Sequence, residues 1–244
     1  MSKSSYKRIL LKLSGEMLMD GQPFGISSGA CLEVAKALKA FSEAGIELAI
    51  VIGGGNLFRG SNLKQLGMER SPADHMGMLA TLINGIALQQ SLEQLGVSAK
   101  LMSALECPKV AETYTWRGAL AHLHAGNIVI FVGGTGNPYF TTDTAAALRA
   151  SEINADIILK ATKVDGVYDR DPMKHPHAIK YDKLDYSQML EERLEIMDAT
   201  AISLCRNSDI PIFVFNMQQL KDSSPKEILS CKRGTLVSKD SSHK

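Results

Sequence analysis

Four short segments of this chain combine glycine with cationic or hydroxyl side chains in a way that suits phosphate. They read Lys12-Leu13-Ser14-Gly15, Gly53-Gly54-Gly55-Asn56, Gly133-Gly134-Thr135-Gly136-Asn137 and Lys160-Ala161-Thr162. Glycine lets backbone N–H groups approach an anion closely, and a helix starting just afterwards adds the positive end of its dipole. A lone glycine pair is more often a structural turn, but three such loops in one chain favour a phosphate ligand. Lys12 stands in an otherwise apolar stretch and must reach a counter-charge, either a ligand's or that of a nearby carboxylate. Arg59 has the fork geometry for a phosphate, and its alternative is an ordinary exposed loop arginine. Three acids admit bland readings. Asp74 follows Ser71-Pro72 in a helix-start pattern, Asp143 follows Thr141-Thr142 in another, and Asp198 reads as a polar face residue. His175 and His177 flank Pro176 without a third partner, which reads as solvated rather than metal-binding.

The elements that must position these residues are legible as apolar runs. Ile9–Leu13, Leu48–Ile52, Ile128–Val132, Ile157–Leu159 and Ile212–Phe215 barely alternate with polar residues, as expected of parallel strands covered on both faces. Helical spacing recurs over Leu32–Ala44, Thr142–Asn154 and Ser187–Cys205. Met76–Leu92 contains no charged residue, yet Asn84, Gln89 and Gln90 make it too polar to span a membrane, so it must be covered by protein. Small residues at Gly77, Ala80, Gly85 and Ala87 predict a second copy of that helix packed against it. Thr162 to Asp185 turns irregular around Pro172 and Pro176 and ends in a short hairpin. The pattern predicts an α/β fold, a three-layer sandwich about a mainly parallel sheet, with ligands beyond the carboxyl ends of the strands.

The chain as a whole narrows the function classes. At 244 residues with no linker and no internal repeat, it reads as one domain over 1–244 with a change of role near Asn154. A net charge of +1 with scattered cations disfavours a nucleic-acid partner. The basic amino terminus lacks the apolar stretch of a signal peptide, and Cys31, Cys107, Cys205 and Cys231 form no Cys-x-x-Cys pair, so a reducing, cytoplasmic setting is expected. Neither Gly-x-x-x-x-Gly-Lys-Ser/Thr nor a Gly-x-Gly-x-x-Gly after the first strand occurs, which disfavours the two common nucleotide folds.

Taken with Thr135 to Asp143, Asp74-His75-Met76-Gly77-Met78, Lys163-Val164-Asp165-Gly166-Val167-Tyr168 and Phe215-Asn216-Met217, the first and second loops resemble the bacterial uridylate kinases of the amino acid kinase family. The likeness runs from about Arg8 to Val237. It implies an amino acid kinase-like fold and transfer of the γ-phosphoryl group of ATP to UMP, with an acceptor-binding part near 1–154 and an ATP-binding part near 155–244. By resemblance, Lys12, Leu13, Ser14 and Gly15 with Gly55 and Arg59 hold the ATP phosphates, and Thr162, Tyr168 and Asp171 lie around its adenosine. Gly54, Asp74, Thr135, Gly136, Asn137, Pro138, Tyr139, Phe140, Thr141 and Thr142 match UMP contacts. Lys12, Arg59, Asp143, Lys160 and Asp198 are the catalytic candidates. Mg²⁺ is expected with ATP, with no residue as its dedicated ligand. A homohexamer under allosteric control, with UTP inhibition, is the family expectation. GTP activation does not carry over, because Gln22-Pro23-Phe24-Gly25-Ile26 departs from the Glu-Gly-Phe-Gly-Ile of relatives that respond to GTP. Two rivals stand beside this reading: a kinase of the same fold acting on a carboxylate or carbamate, and a nucleotide sensor without catalysis.

Overall fold

Side chains that alternate between two apolar layers set the architecture. The computed structural model describes residues 6–58, 67–194 and 196–239. Its strands are β1 (Arg8–Leu13), β2 (Glu47–Ile52), β3 (Ala99–Ser103), β4 (Glu112–Thr113), β5 (Ile128–Val132), β6 (Ile157–Thr162), β7 (Val167–Tyr168), β8 (Lys180–Tyr181), β9 (Lys183–Asp185), β10 (Ile212–Asn216) and β11 (Thr235–Ser238). The helices are α1 (Ser28–Glu43), α2 (Arg70–Gln94), α3 (Trp116–His124), α4 (Thr142–Glu152), α5 (Tyr186–Glu191), α6 (Ala199–Ser208), α7 (Gln219–Asp222) and α8 (Pro225–Ile228). One sheet runs β4-β3-β5-β2-β1-β6-β10-β11-β9, parallel except where β11 pairs antiparallel with β10. Ile9, Leu11 and Leu13 join α1, α2, α7 and α8 in one core, while Leu10, Val51 and Ile158 join α3 to α6 in the other. Helices on both faces of one sheet make the three-layer α/β sandwich that the apolar runs predict.

All five expected strands form. The expected helix Ser187–Cys205 does not: the chain breaks into α5 and α6, with Arg193 at φ +52° between them and Asp198 capping α6. Continuous apolar spacing across the break hid it, since Leu194 and Met197 are buried in the connection as they would be in a helix. The hairpin expected after the prolines instead brackets them, as β7 paired with β8.

Helix α2 is covered on one side only. Met78, Ala80, Leu82, Gly85 and Leu88 face the protein, while Leu79, Ile83 and Ile86 are exposed. Ala80 and Gly85 do not wait for a second helix: Ala80 sits against Gly54, and a side chain at Gly85 would meet Val132 and Leu101. The polar Asn84 is fully buried. Its amide exchanges hydrogen bonds with that of Asn56 at 2.7 and 2.9 Å and donates to the Gly53 carbonyl at 2.7 Å, while Asn56 donates to the Gly25 carbonyl at 2.9 Å. This pair fastens α2 to the glycine loop after β2. Asn84→Leu should lower the unfolding free energy by about 1–3 kcal/mol for each partner left unpaired. Urea denaturation measures it, and an unchanged midpoint would show that the amide pair contributes nothing.

Candidate active site

The register of the central strands brings two lysines together. Lys12 of β1 pairs directly with Lys160 of β6, and both follow residues of the same core layer, Leu10 and Ile158. Side chains two apart on a strand share a face, so both ammonium groups project towards the layer that holds α4. There Asp143, in the first turn of α4, sits between them: its Oδ2 accepts from Lys160 Nζ at 2.7 Å, and its Oδ1 forms an ion pair with Lys12 Nζ at 2.9 Å. Lys160 also donates to the Ile196 carbonyl. Burial works against the charge on Asp143, but the two ammonium groups outweigh it and hold its carboxyl below the usual carboxylate range. Burial pushes the Lys160 ammonium down, assisted by the charge of Lys12 and opposed by Asp143 and Asp198. One carboxylate lies between the two cations, and Asp198 adds a second negative charge near Lys160.

Two helix N-termini converge beside this cluster. Thr141 caps α4 by accepting from the amides of Asp143 and Thr144, and Asp198 caps α6 by accepting from Ala201 N at 2.9 Å. The other carboxylate oxygen of Asp198 accepts from the hydroxyls of Thr141 and Thr144, the latter at 2.8 Å. Asp198 is thus a cap that joins two helices, not a bland face residue, and Asp143 does more than favour a helix start. Thr141, Asp143, Arg193, Ile196 and Asp198 line a cleft of about 470 Å³ on which both positive helix ends open.

A second cleft, of about 270 Å³, meets the first at Thr141. Gly54, Gly55, Arg70, Asp74, Thr135, Phe140, Thr141 and Thr142 are among its walls. The helix-start reading of Asp74 is overturned: α2 begins at Arg70 after Glu69, and Asp74 Oδ2 accepts from the Tyr139 amide at 2.7 Å. Gly136, Asn137, Pro138 and Tyr139 are not among the residues lining it. Gly54 admits no side chain, since a Cβ there would lie 2.8 Å from the Gly77 carbonyl oxygen.

A third cleft, of about 410 Å³, shares Arg193, Leu194 and Ile196 with the first and is walled by Tyr168 and Asp171 of the β7–β8 excursion. Tyr168 donates to Asp165 at 2.5 Å, a bond that pushes its phenol up to about 12 and keeps it neutral. Asp171 accepts from the Met173 amide. Thr162 ends β6, and its carbonyl accepts from Met217 N–H. Ser14 caps the turn after β1, where Leu13 and Gly15 are buried; a Cβ on Gly15 would lie 2.5 Å from the Gly53 carbonyl oxygen. Arg59 lies outside the described residues. Sequence reasoning missed Arg70 and Arg193. Arg70 carried one signal, its place four residues before Asp74 on one helix face, whereas Arg193 carried none.

A model of the amino acid kinase family matches residues 7–216 of this chain. The uridylate kinase of Protochlamydia amoebophila is 63% identical over 95% of the chain and 92% of its own length. That of Aeromonas salmonicida is 48% identical over 96% of each. Among solved structures, the UMP kinase from Bacillus anthracis superposes with a TM-score of 0.90 at 37% identity, covering 97% of both chains.

Asp143→Asn would leave two ammonium groups side by side without a counter-charge, a loss expected to cost about 3–5 kcal/mol of stability at neutral pH. The stabilisation from Asp143 is complete above the ordinary aspartate pKa and is lost as pH falls through its lowered folded value. The gap between variant and parent should therefore close towards acid. Denaturant unfolding at about pH 7 and about pH 3 measures it, and an equal gap at both would count against charge pairing.

Proposed function

The chain belongs to the amino acid kinase family, and on that premise we propose that it is a UMP kinase, transferring the γ-phosphoryl group of ATP to the phosphate of UMP to give UDP and ADP. What carries this reading is the meeting of two clefts at Thr141, one walled by Asp74 and the Thr135–Thr142 segment, the other by Asp143 and Asp198. Identity of 63% to a uridylate kinase over nearly the whole chain supports UMP over a carboxylate or carbamate acceptor. Lys12 and the acidic pair Asp143 and Asp198 argue against a non-catalytic sensor, which would need the glycine loops but none of these.

In this mechanism the acceptor needs no general base. A phosphate monoester has a second pKa of about 6 and is largely dianionic at neutral pH. The difficulty is to bring two polyanions into line. Lys12 and Lys160 supply positive charge, the N-termini of α4 and α6 add their dipoles, and the Gly53–Gly55 and Lys12–Gly15 loops offer backbone N–H groups. Arg59 is assigned to the ATP phosphates by the family likeness. Asp143 keeps the lysines in place, and Asp198 fixes α6 against α4. Gly54, Asp74 and Thr135 to Thr142 hold UMP, while Thr162, Tyr168 and Asp171 surround the adenosine, so 1–154 is mainly the acceptor part and 155–244 mainly the donor part. Mg²⁺ is expected to arrive with the triphosphate of ATP. Mg²⁺ held there would offset phosphate charge, and Asp198, with Asp143, would orient the cationic groups or the water of that ion. No helix among the described residues is long and apolar enough to cross a membrane; the cytoplasmic setting remains the reading of the cysteine pattern.

An ATP-dependent assay against UMP, CMP, dUMP, acetylglutamate, aspartate and carbamate tests the acceptor, and UMP is expected to be turned over fastest. Lys12→Met should keep the fold, because Asp143 retains Lys160, but lose about two to three decades in rate, the loss of about 2.7–4 kcal/mol of transition-state stabilisation. Full turnover in a folded variant would reduce Lys12 to an ion pair.

The exposed side of α2 supports an oligomer in which this helix meets its own copy across a two-fold axis, the first step towards an allosteric homohexamer. Leu79, Ile83 and Ile86 form an apolar face that water covers poorly. Ile83→Glu with Ile86→Glu should reduce the mass seen by light scattering. An unchanged mass in a folded, active variant would rule this interface out.

A further inference from the structure

We propose that Arg70 is a positioning residue of the acceptor site, acting through Tyr139 and Asp74 to hold the Thr135–Thr142 segment in its binding conformation. The inference rests on reading the cleft walled by Asp74 and Phe140 as the UMP site. Tyr139 is the strained point of that segment, a bulky residue at φ +73°, in the left-handed region that such side chains avoid. The start of the segment closes a turn on itself, Thr135 onto Asn137, and its end is tied to Asp198 through Thr141. Between them, Gly136 N–H donates to the Gly133 carbonyl of the same loop, and the hydrogen bonds at Tyr139 are made with α2. Asp74 Oδ2 accepts the Tyr139 amide at 2.7 Å and Arg70 Nε at 3.3 Å. The Arg70 guanidinium lies 5.0 Å over the Tyr139 ring and reaches towards its carbonyl at 3.5 Å.

Arg70 therefore grips the ring of the strained residue while steadying the carboxylate that holds its amide. The consequence falls on the next residue, because Phe140 lines the cleft and its direction follows from the backbone of Tyr139. Asp74 Oδ1 accepts no hydrogen bond among the described residues and is left for the acceptor, while Oδ2 is committed to the clamp. Arg70 is a cation on the wall of an anion's cleft, but its charge is shared with Asp74 and the Tyr139 face, so its main effect is on the shape of the site.

Arg70→Ala should raise the KM for UMP about tenfold, with kcat at saturating UMP and the KM for ATP nearly unchanged, since binding and not the transferring group is affected. Arg70→Lys keeps a cation near both partners and should recover most of the loss. In a double-mutant cycle, Arg70→Ala with Tyr139→Ala should be little worse than either alone, because the two act as one unit. Hydrogen exchange gives a readout without substrate: the Tyr139 amide should exchange about tenfold faster in Arg70→Ala, with other protected amides unaffected. Unchanged protection at Tyr139, or a fall in kcat with both KM values moving together, would overturn the clamp. If the parent enzyme phosphorylates an acceptor other than UMP, the functional reading fails, while the exchange measurement still decides the clamp.

Discussion

Two ammonium groups on neighbouring strands, Lys160 buried and Lys12 half-buried, are the constraint around which this molecule is organised. Strands lie about 5 Å apart, and two unit charges at that distance repel by about 3 kcal/mol at an effective dielectric of about 20. Among the described residues no strand carboxylate pairs with either lysine; the carboxylate comes from the helix layer. Helix α4 must therefore begin where Asp143 can reach both lysines, which fixes Thr141 as its cap. The cap in turn meets Asp198, so the start of α6 is fixed as well. A local charge problem thereby aims two helix N-termini at one place.

Helix α2 performs a second kind of joining. Through Asn84 it holds the glycine loop after β2, and through Arg70 and Asp74 it holds the loop after β5. Those loops belong to strands adjacent in the sheet, and both carry glycines too close to neighbouring backbone to accept a side chain. The helix thus sets the distance between two walls of one cleft. Its apolar outer face lies directly behind that wall, so whatever covers Ile83 and Ile86 bears on residues one or two turns from it.

How much could be read beforehand depends on what each residue needed. The five core strands were legible because burial on both faces leaves nearly unbroken apolar runs. Strand β3 was not, since Lys100 interrupts a five-residue stretch, and β4 and β9 are too short to show any pattern. The loops that suit phosphate were visible from glycine alone, and the three clefts do lie at the carboxyl ends of the strands. The pairing of Lys12 with Lys160 was not visible, because it rests on a register between strands 148 residues apart. Asp198 looked bland because a cap that also receives two threonine hydroxyls has no local signature. Arg70 looked bland because its partner Tyr139 is 69 positions away.

That separation in the chain also orders the life of a newly made molecule. Strand β1 is central, flanked by β2 on one side and β6 on the other, yet β6 leaves the ribosome long after β2. Chains begin folding from the amino terminus as they are made, so β1, β2, β5 and β3 can assemble while one edge of β1 still lies open. During that interval Lys12 has Asp143 as its only nearby counter-charge among the described residues, and the exposed edge is a template for any other strand. Closure by β6 brings in the second lysine, and the cap at Asp198 arrives later still. The nascent chain is thus vulnerable to mispairing at the very strand that will carry its chemistry, and it acquires the complete charge cluster only once most of its length has been translated.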